Sequence, residues 1–148
     1  MFDGSTNLTL DVKGRLVIPT RYREKLLERC GGNLVITAGP DKCLMLYPSS
    51  EWEIIRQKLY GVPNADQRVR NLQRRIAGQA VPTPMDAAGR VLVTPELRDF
   101  AGLDKDVVLA GQDNRFELWN AESWKAITRD SDAMTPEQLP PAMAGFSW

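Results

Sequence analysis

The chain repeats itself, and this internal duplication constrains the fold more than any other feature. Asp11-Val12-Lys13-Gly14-Arg15-Leu16-Val17-Ile18-Pro19 returns as Asp86-Ala87-Ala88-Gly89-Arg90-Val91-Leu92-Val93-Thr94-Pro95, 75 residues later. Arg23 aligns with Arg98 at the same spacing. Further on, Leu34-Val35-Ile36 matches Val107-Val108-Leu109, and Leu44-Met45-Leu46-Tyr47 matches Phe116-Glu117-Leu118-Trp119. Trp52 meets Trp124 at an offset of 72, so small loop deletions account for all of the drift.

Each copy carries the same local signals. Thr6–Leu10 alternates as a half-buried strand does, Asp11–Gly14 is a turn, and Leu16–Ile18 is the return strand of a hairpin. Pro19 opens a helix to about Arg29, with Gly31 near its end; in the second copy Thr94 is the N-cap and Pro95 the first helical residue. Two short strands follow, Leu34–Thr37 with Cys43–Tyr47 and Val107–Ala110 with Phe116–Trp119. Ser50 with Glu53 is a capping-box pattern for the helix behind them. A Gly61-Val62-Pro63-Asn64 break precedes a further helix, with Asn64 as cap and Val69, Leu72 and Ile76 as its apolar stripe. Pro82 and Pro84 remove two backbone donors, so the first strand of the second copy is expected at a sheet edge or irregular.

The predicted organisation is a first repeat over 1–60, a linker helix over 61–80, a second repeat over 81–129 and a loosely packed tail over 130–148. A sheet of so few short strands is marginal alone, so the copies are expected to pack as one pseudo-symmetric β-barrel-like unit. The class is α+β, β-rich, with short helices. Tyr47 with Trp52 and Trp119 with Trp124 are the equivalent anchors of the two copies.

Composition narrows the function. Histidine is absent, which removes the commonest general base and metal ligand. Cys30 and Cys43 are too few for a disulfide framework or a four-thiolate zinc site. No phosphate-cradling glycine loop or telling carboxylate pair is present, so neither an enzyme nor a cofactor is predicted. No apolar run is long enough for a membrane helix. The opening Met1-Phe2-Asp3-Gly4 lacks a basic and an apolar leader region, which predicts a cytoplasmic location. Formal net charge is zero, but residues 1–80 hold 13 Lys+Arg against 8 Asp+Glu, and residues 81–148 hold 6 against 11. Such asymmetry suits either a polyanion-binding face or complementary self-association.

The repeated turns bring the alternatives to particular residues. Asp11 with Arg15, and Asp86 with Arg90, can pair across their turns, and Gly14 and Gly89 can take positive φ; Asp11, Asp86, Gly89 and Arg90 are read as turn-structural. Around the first turn, Lys13, Arg15, Arg21, Arg23, Lys25 and Arg29 gather cations, and guanidinium groups bind phosphate and guanine edges. In the second copy Ala87-Ala88 replaces Val12-Lys13 and Glu96 replaces Arg21. Arg68, Arg70, Arg74 and Arg75 on the linker helix suit a solvated face, phosphates or, preferably, the acidic half of a neighbouring molecule.

Two Asp-x-x-Gly-Arg hairpins, each followed by a branched apolar strand, proline and helix, resemble the modules of the SpoVT-AbrB superfamily, and more closely the MraZ family. The matching stretches are Met1-Phe2 with Gly4, Asp11–Leu16, Pro19-Thr20-Arg21-Tyr22-Arg23, Tyr47-Pro48 ahead of Glu51-Trp52, Asp86–Arg90, Gly111-Gln112 and Phe116–Trp119, within about residues 1–128. The resemblance implies a double-hairpin barrel, a ring-shaped homo-oligomer and a nucleoid-associated transcriptional regulator. It implies binding to direct repeats in double-stranded DNA upstream of its own operon, the division and cell-wall gene cluster, and its repression. It makes Lys13-Gly14-Arg15 the DNA-contacting motif, with Arg15 the principal contact and Arg21 and Arg23 in support. The competing class is an antitoxin-like or protein-interaction scaffold that uses the basic patches for a partner.

Overall fold

In the computed structural model, which describes residues 1–147, both repeats fold as strand, turn, strand, helix, two strands, helix. The first holds β1 (Ser5–Thr9), β2 (Arg15–Val17), α1 (Thr20–Cys30), β3 (Asn33–Ala38), β4 (Leu44–Pro48) and α2 (Ser49–Tyr60). A linking helix, α3 (Gln67–Ile76), leads into the second: β5 (Val81–Pro84), β6 (Arg90–Leu92), α4 (Pro95–Phe100), β7 (Asp106–Gln112), β8 (Arg115–Asn120) and α5 (Ala121–Asp132).

Strand pairing crosses between the repeats. A six-stranded sheet runs β1-β7-β8-β4-β3-β5, and β2 pairs with β6 in a separate two-stranded ribbon. All pairs are antiparallel: Asn7 faces Val108, Val35 faces Pro82, and Leu16 faces Val91. The hairpins expected within each repeat are therefore corrected. Only the turns close locally, through the Asp11 N–H to the Arg15 carbonyl at 3.0 Å and the Asp86 N–H to the Arg90 carbonyl at 2.9 Å. Beyond them β1, β2, β5 and β6 pair with the other repeat, while β3 with β4 and β7 with β8 form hairpins within their own repeats. A lone repeat has too little surface to cover its own apolar residues, whereas exchange buries both sets together. The fold is α+β and β-rich, and the described pairings form two sheets without closing one barrel.

Exchange also builds the core. Leu16, Ile18, Val91 and Val93 from the ribbon side meet Leu34, Ile36, Leu44, Leu46, Leu109 and Leu118 from one face of the larger sheet, all buried. Phe2 belongs to the same cluster and packs its ring 4.4 Å from Phe116 and 6.0 Å from Tyr22. The other face is covered by helices. Val35, Met45 and Tyr47 lie with Trp52 of α2 and Ile76 of α3, while Val108 and Trp119 lie with Trp124 of α5. The expected anchors thus occupy equivalent places, with ring centroids 5.8 Å apart for Tyr47–Trp52 and 6.1 Å for Trp119–Trp124.

Helix boundaries divide into those the local sequence determines and those it does not. α1 follows Pro19 and stops at left-handed Gly31, and the Thr94 hydroxyl accepts the Leu97 N–H to cap α4. The Ser50 capping box does not form, because α2 begins directly after Pro48 and Ser50 already lies in its first turn. α3 is capped by Asp66 rather than Asn64: its carboxylate accepts the Arg68 N–H at 2.8 Å. The stripe of α3 is rotated as well, with Leu72 45% exposed and Gln73 buried. Gln73 Nε2 donates to the Leu59 and Val62 carbonyls at 3.2 and 3.4 Å, tying α3 to the turn that ends α2. β5, with its two prolines, is an edge strand as expected. α5 runs past Arg129 to Asp132, and two short 3₁₀ turns follow, Pro136–Gln138 and Pro141–Met143; Trp148 of the tail lies outside the described residues. Among the described residues no helix is long and apolar enough to cross a membrane.

Because Phe2 is a core residue despite its terminal position, Phe2→Ala is expected to remove about 3–5 kcal/mol of stability in urea unfolding. Retention of wild-type stability would show that the N-terminal segment is not part of the core.

Candidate functional site

The repeated turns share one hydrogen-bonded skeleton. Asp11 Oδ1 accepts the Lys13 and Arg15 amides at 2.9 and 2.8 Å, and Oδ2 accepts Arg15 Nε at 2.6 Å. In the second turn Asp86 Oδ1 accepts the Ala88 and Arg90 amides at 2.9 and 2.8 Å, and Oδ2 accepts Arg90 Nε at 2.8 Å. Gly14 and Gly89 have φ of +85° and +78°, which other residues adopt only with strain. These bonds hold Asp11 near pKa 2, down from 3.8, with the Arg15 amide the largest cause and the Arg15 guanidinium and Lys13 amide adding to it. Asp86 is lowered by the same set from Arg90 and Ala88.

Each turn is braced from the other repeat. The Val93 N–H donates to the Gly14 carbonyl at 2.9 Å, and the Ile18 N–H to the Gly89 carbonyl at 2.8 Å. Arg98 lies over Gly14 and donates from Nε to the Val93 carbonyl at 3.1 Å; Arg23 lies over Gly89 and donates from Nε to the Ile18 carbonyl at 2.8 Å. A Cβ at Gly14 would fall 2.7 Å from Arg98 Nε, and one at Gly89 would overlap Arg23. Arg23 thus sits against the second turn, away from Lys13 and Arg15. Arg98, its counterpart, was signalled only by the repeat alignment and braces the first.

What differs is the tip. Lys13 is exposed and Val12 is 99% exposed, where the second turn has Ala87-Ala88. Both arginines project from the outer side of the ribbon, whose alternation buries Leu16 and Val91 and leaves Arg15, Val17, Arg90 and Leu92 outward. The Arg15 side chain is 35% exposed, and its two terminal nitrogens make no hydrogen bond among the described residues. Arg21 is also exposed; its Nη2 donates to Thr6 Oγ1 at 2.6 Å and to the Tyr22 hydroxyl oxygen at 2.9 Å, which ties it to β1.

The linker arginines are disposed differently. Arg68 pairs with Asp66 at 2.8 Å, Arg70 donates to the Asn64 and Ala65 carbonyls, and Arg74 donates to Asn71. Arg75 Nε is shielded from solvent without an acceptor among the described residues. No group of three or more Cys, Asp or Glu among the described residues could hold a metal, and burial pushes the Cys43 thiol up to about 12, an inert thiol.

A lowered carboxyl pKa stabilises the folded turn fully above the ordinary value and loses that contribution as pH falls through the folded value. The Asp11 carboxyl is therefore expected to titrate near pH 2 by carbon-13 NMR, with the turn amides of Lys13 and Arg15 unchanged above about pH 4 and shifting below it. A midpoint near 3.8 would contradict the bonded turn.

Comparison with known proteins gives an independent measure of relatedness. The family model for MraZ protein, whose description adds "antitoxin-like", matches residues 1–75 and again 76–143. A Nitrosomonas eutropha protein named Transcriptional regulator MraZ is 48% identical over 147 residues, 99% of each chain. Proteins of the same name from Thioalkalivibrio sulfidiphilus and Pseudomonas aeruginosa are 54% and 45% identical over 124 and 128 residues, covering 84% and 86% of this chain and 83% and 85% of theirs. The 147-residue match extends into the stretch after Arg129, for which the sequence alone offered no counterpart.

Proposed function

The chain belongs to the MraZ family, and on that premise we propose that it is a transcriptional regulator that binds double-stranded DNA through the Lys13-Gly14-Arg15 turn. The observation that carries this is the contrast between two turns with one skeleton. Asp11, Gly14 and Arg15 have full counterparts in Asp86, Gly89 and Arg90, yet only the first tip keeps a lysine and a surrounding cluster of cations. Holding the turn accounts for what the copies share; it does not account for Lys13.

Arg15 is the principal contact. Its Nε is committed to Asp11, which fixes the plane of the guanidinium, and its terminal nitrogens are left for a phosphate or a guanine edge. A two-stranded ribbon of this kind fits the major groove. Arg21 supports from the start of α1, and Arg23 supports by shaping the second turn. We take the two sheets as parts of one barrel-like unit, joined where β1 passes to β2 and β5 to β6. The protein acts in the cytoplasm, on the nucleoid, and not as an enzyme.

Assembly completes the mechanism. The opposite net charges of the two halves favour head-to-tail contact between copies, a heterologous geometry that closes into rings. The exposed Leu72 and the arginines of α3 support a role for this helix in that contact, against the acidic half of the next copy. First turns presented in the same sense call for direct repeats about one helical turn apart, roughly 10 base pairs. One small cationic tip binds weakly, and several linked tips raise the effective concentration by orders of magnitude. The target is the DNA upstream of its own operon, the division and cell-wall cluster, which it represses. The antitoxin-like wording of the family description keeps a protein-partner role as the second reading.

Arg15→Ala is expected to abolish binding to that upstream DNA while circular dichroism and particle size remain those of the wild type. Unfolding or dissociation would make Arg15 a turn staple only. Wild-type affinity should also fall steeply with salt, because phosphate contacts release counterions; a flat salt dependence would favour the protein-partner role. Leu72→Glu is expected to reduce particle size, and an unchanged assembly would remove α3 from the contact.

A further inference from the structure

Val12 is an anomaly of the first turn. It is β-branched, apolar and 99% exposed, more than any other large hydrophobic residue among those described. Nor is it on a loose loop. The Asp11 carboxylate holds the amides of Lys13 and Arg15, the Gly14 N–H donates to the Asp11 carbonyl at 3.0 Å, and Arg98 bears on Gly14 from the other repeat. The isopropyl group therefore projects from a braced tip, next to Lys13 and three residues before Arg15. A solvent-facing turn ordinarily carries Asn, Asp, Gly or Ser at such a place.

We infer that Val12 is a specificity-determining residue that packs against the C5-methyl group of a thymine in the major groove. The inference rests on the DNA-binding role proposed above. Thymine alone among the DNA bases offers an apolar landmark in that groove, and an apolar side chain is the group that recognises it. Arg15 supplies the charged contact, and Val12 adds sequence information that phosphate contacts cannot carry. Both project from one tight turn, so the thymine lies within about two base-pair steps of the Arg15 contact, at roughly 3.4 Å per step. The second tip, with Ala87 in the matching place, presents less apolar surface.

The test uses the full-length protein and the DNA upstream of its own gene, with each thymine of a bound repeat replaced in turn by uracil, which lacks only the methyl group. Wild-type binding to unmodified DNA serves as the control. At one thymine per repeat, uracil should weaken wild-type binding about fourfold, the worth of one buried methyl group. Val12→Ala should bind the natural DNA about fourfold more weakly and be indifferent to uracil at that thymine. A flat uracil scan with intact wild-type binding overturns the role of Val12 and leaves the DNA-binding role standing. So does a Val12→Ala variant that senses uracil as the wild type does. Loss of assembly in Val12→Ala would place the residue in a contact between copies instead, and absence of wild-type binding would overturn both proposals.

Discussion

Everything in this structure depends on the exchange of strands between the two repeats. β1 completes the sheet of the second repeat, β5 that of the first, and β2 and β6 pair with each other. Each ladder joins residues far apart in the chain, such as Thr6 with Leu109 and Leu16 with Val91. The apolar sides of both repeats consequently share one core, and neither repeat has a complete sheet of its own. The same exchange sets the stiffness of the turns. Gly14 is covered by Arg98 and Gly89 by Arg23, so the geometry of each tip is enforced by the repeat to which it does not belong.

Much of this was visible in the amino-acid order, for physical reasons that differ by element. The duplication, the Asp-x-x-Gly-Arg turns, the proline-led helices and the edge position of β5 come from strong local constraints: a positive φ, a missing N–H, a fixed proline ring. Strand partnership was not available locally. A hairpin within one repeat and an exchanged pair have the same alternating pattern, and only the shared core distinguishes them. Nearby caps compete in a similar way. Asp66 lies closer to the apolar turn of α3 than Asn64 and takes the Arg68 amide, while Asn64 gives its carbonyl to Arg70. Gln73 takes the buried place expected of Leu72 and donates to two carbonyls in the turn that ends α2, contacts that exist only once the helices meet. For the site, the cations of the first tip were evident from composition. The bracing role of Arg23, and of Arg98 opposite it, emerged only from the packing.

Duplication also accounts for two turns that share one skeleton and carry different tips. Asp11 and Asp86 keep both turns in shape through backbone amides, and the residues between aspartate and glycine are exposed. Those positions have diverged: Val12-Lys13 is apolar and cationic, and Ala87-Ala88 is small and neutral. The net charge divides along the sequence in the same way, with residues 1–80 basic and residues 81–148 acidic.

Cross-strand nuclear Overhauser effects in solution test the exchange most directly. Close Hα–Hα contacts are expected between Asn7 and Val108 and between Val17 and Arg90, narrow pairs in two of the four inter-repeat ladders. Contacts joining β1 to β2 along their length, in place of these, would mean that each repeat forms its own hairpin, and the braced tip would have no structural basis.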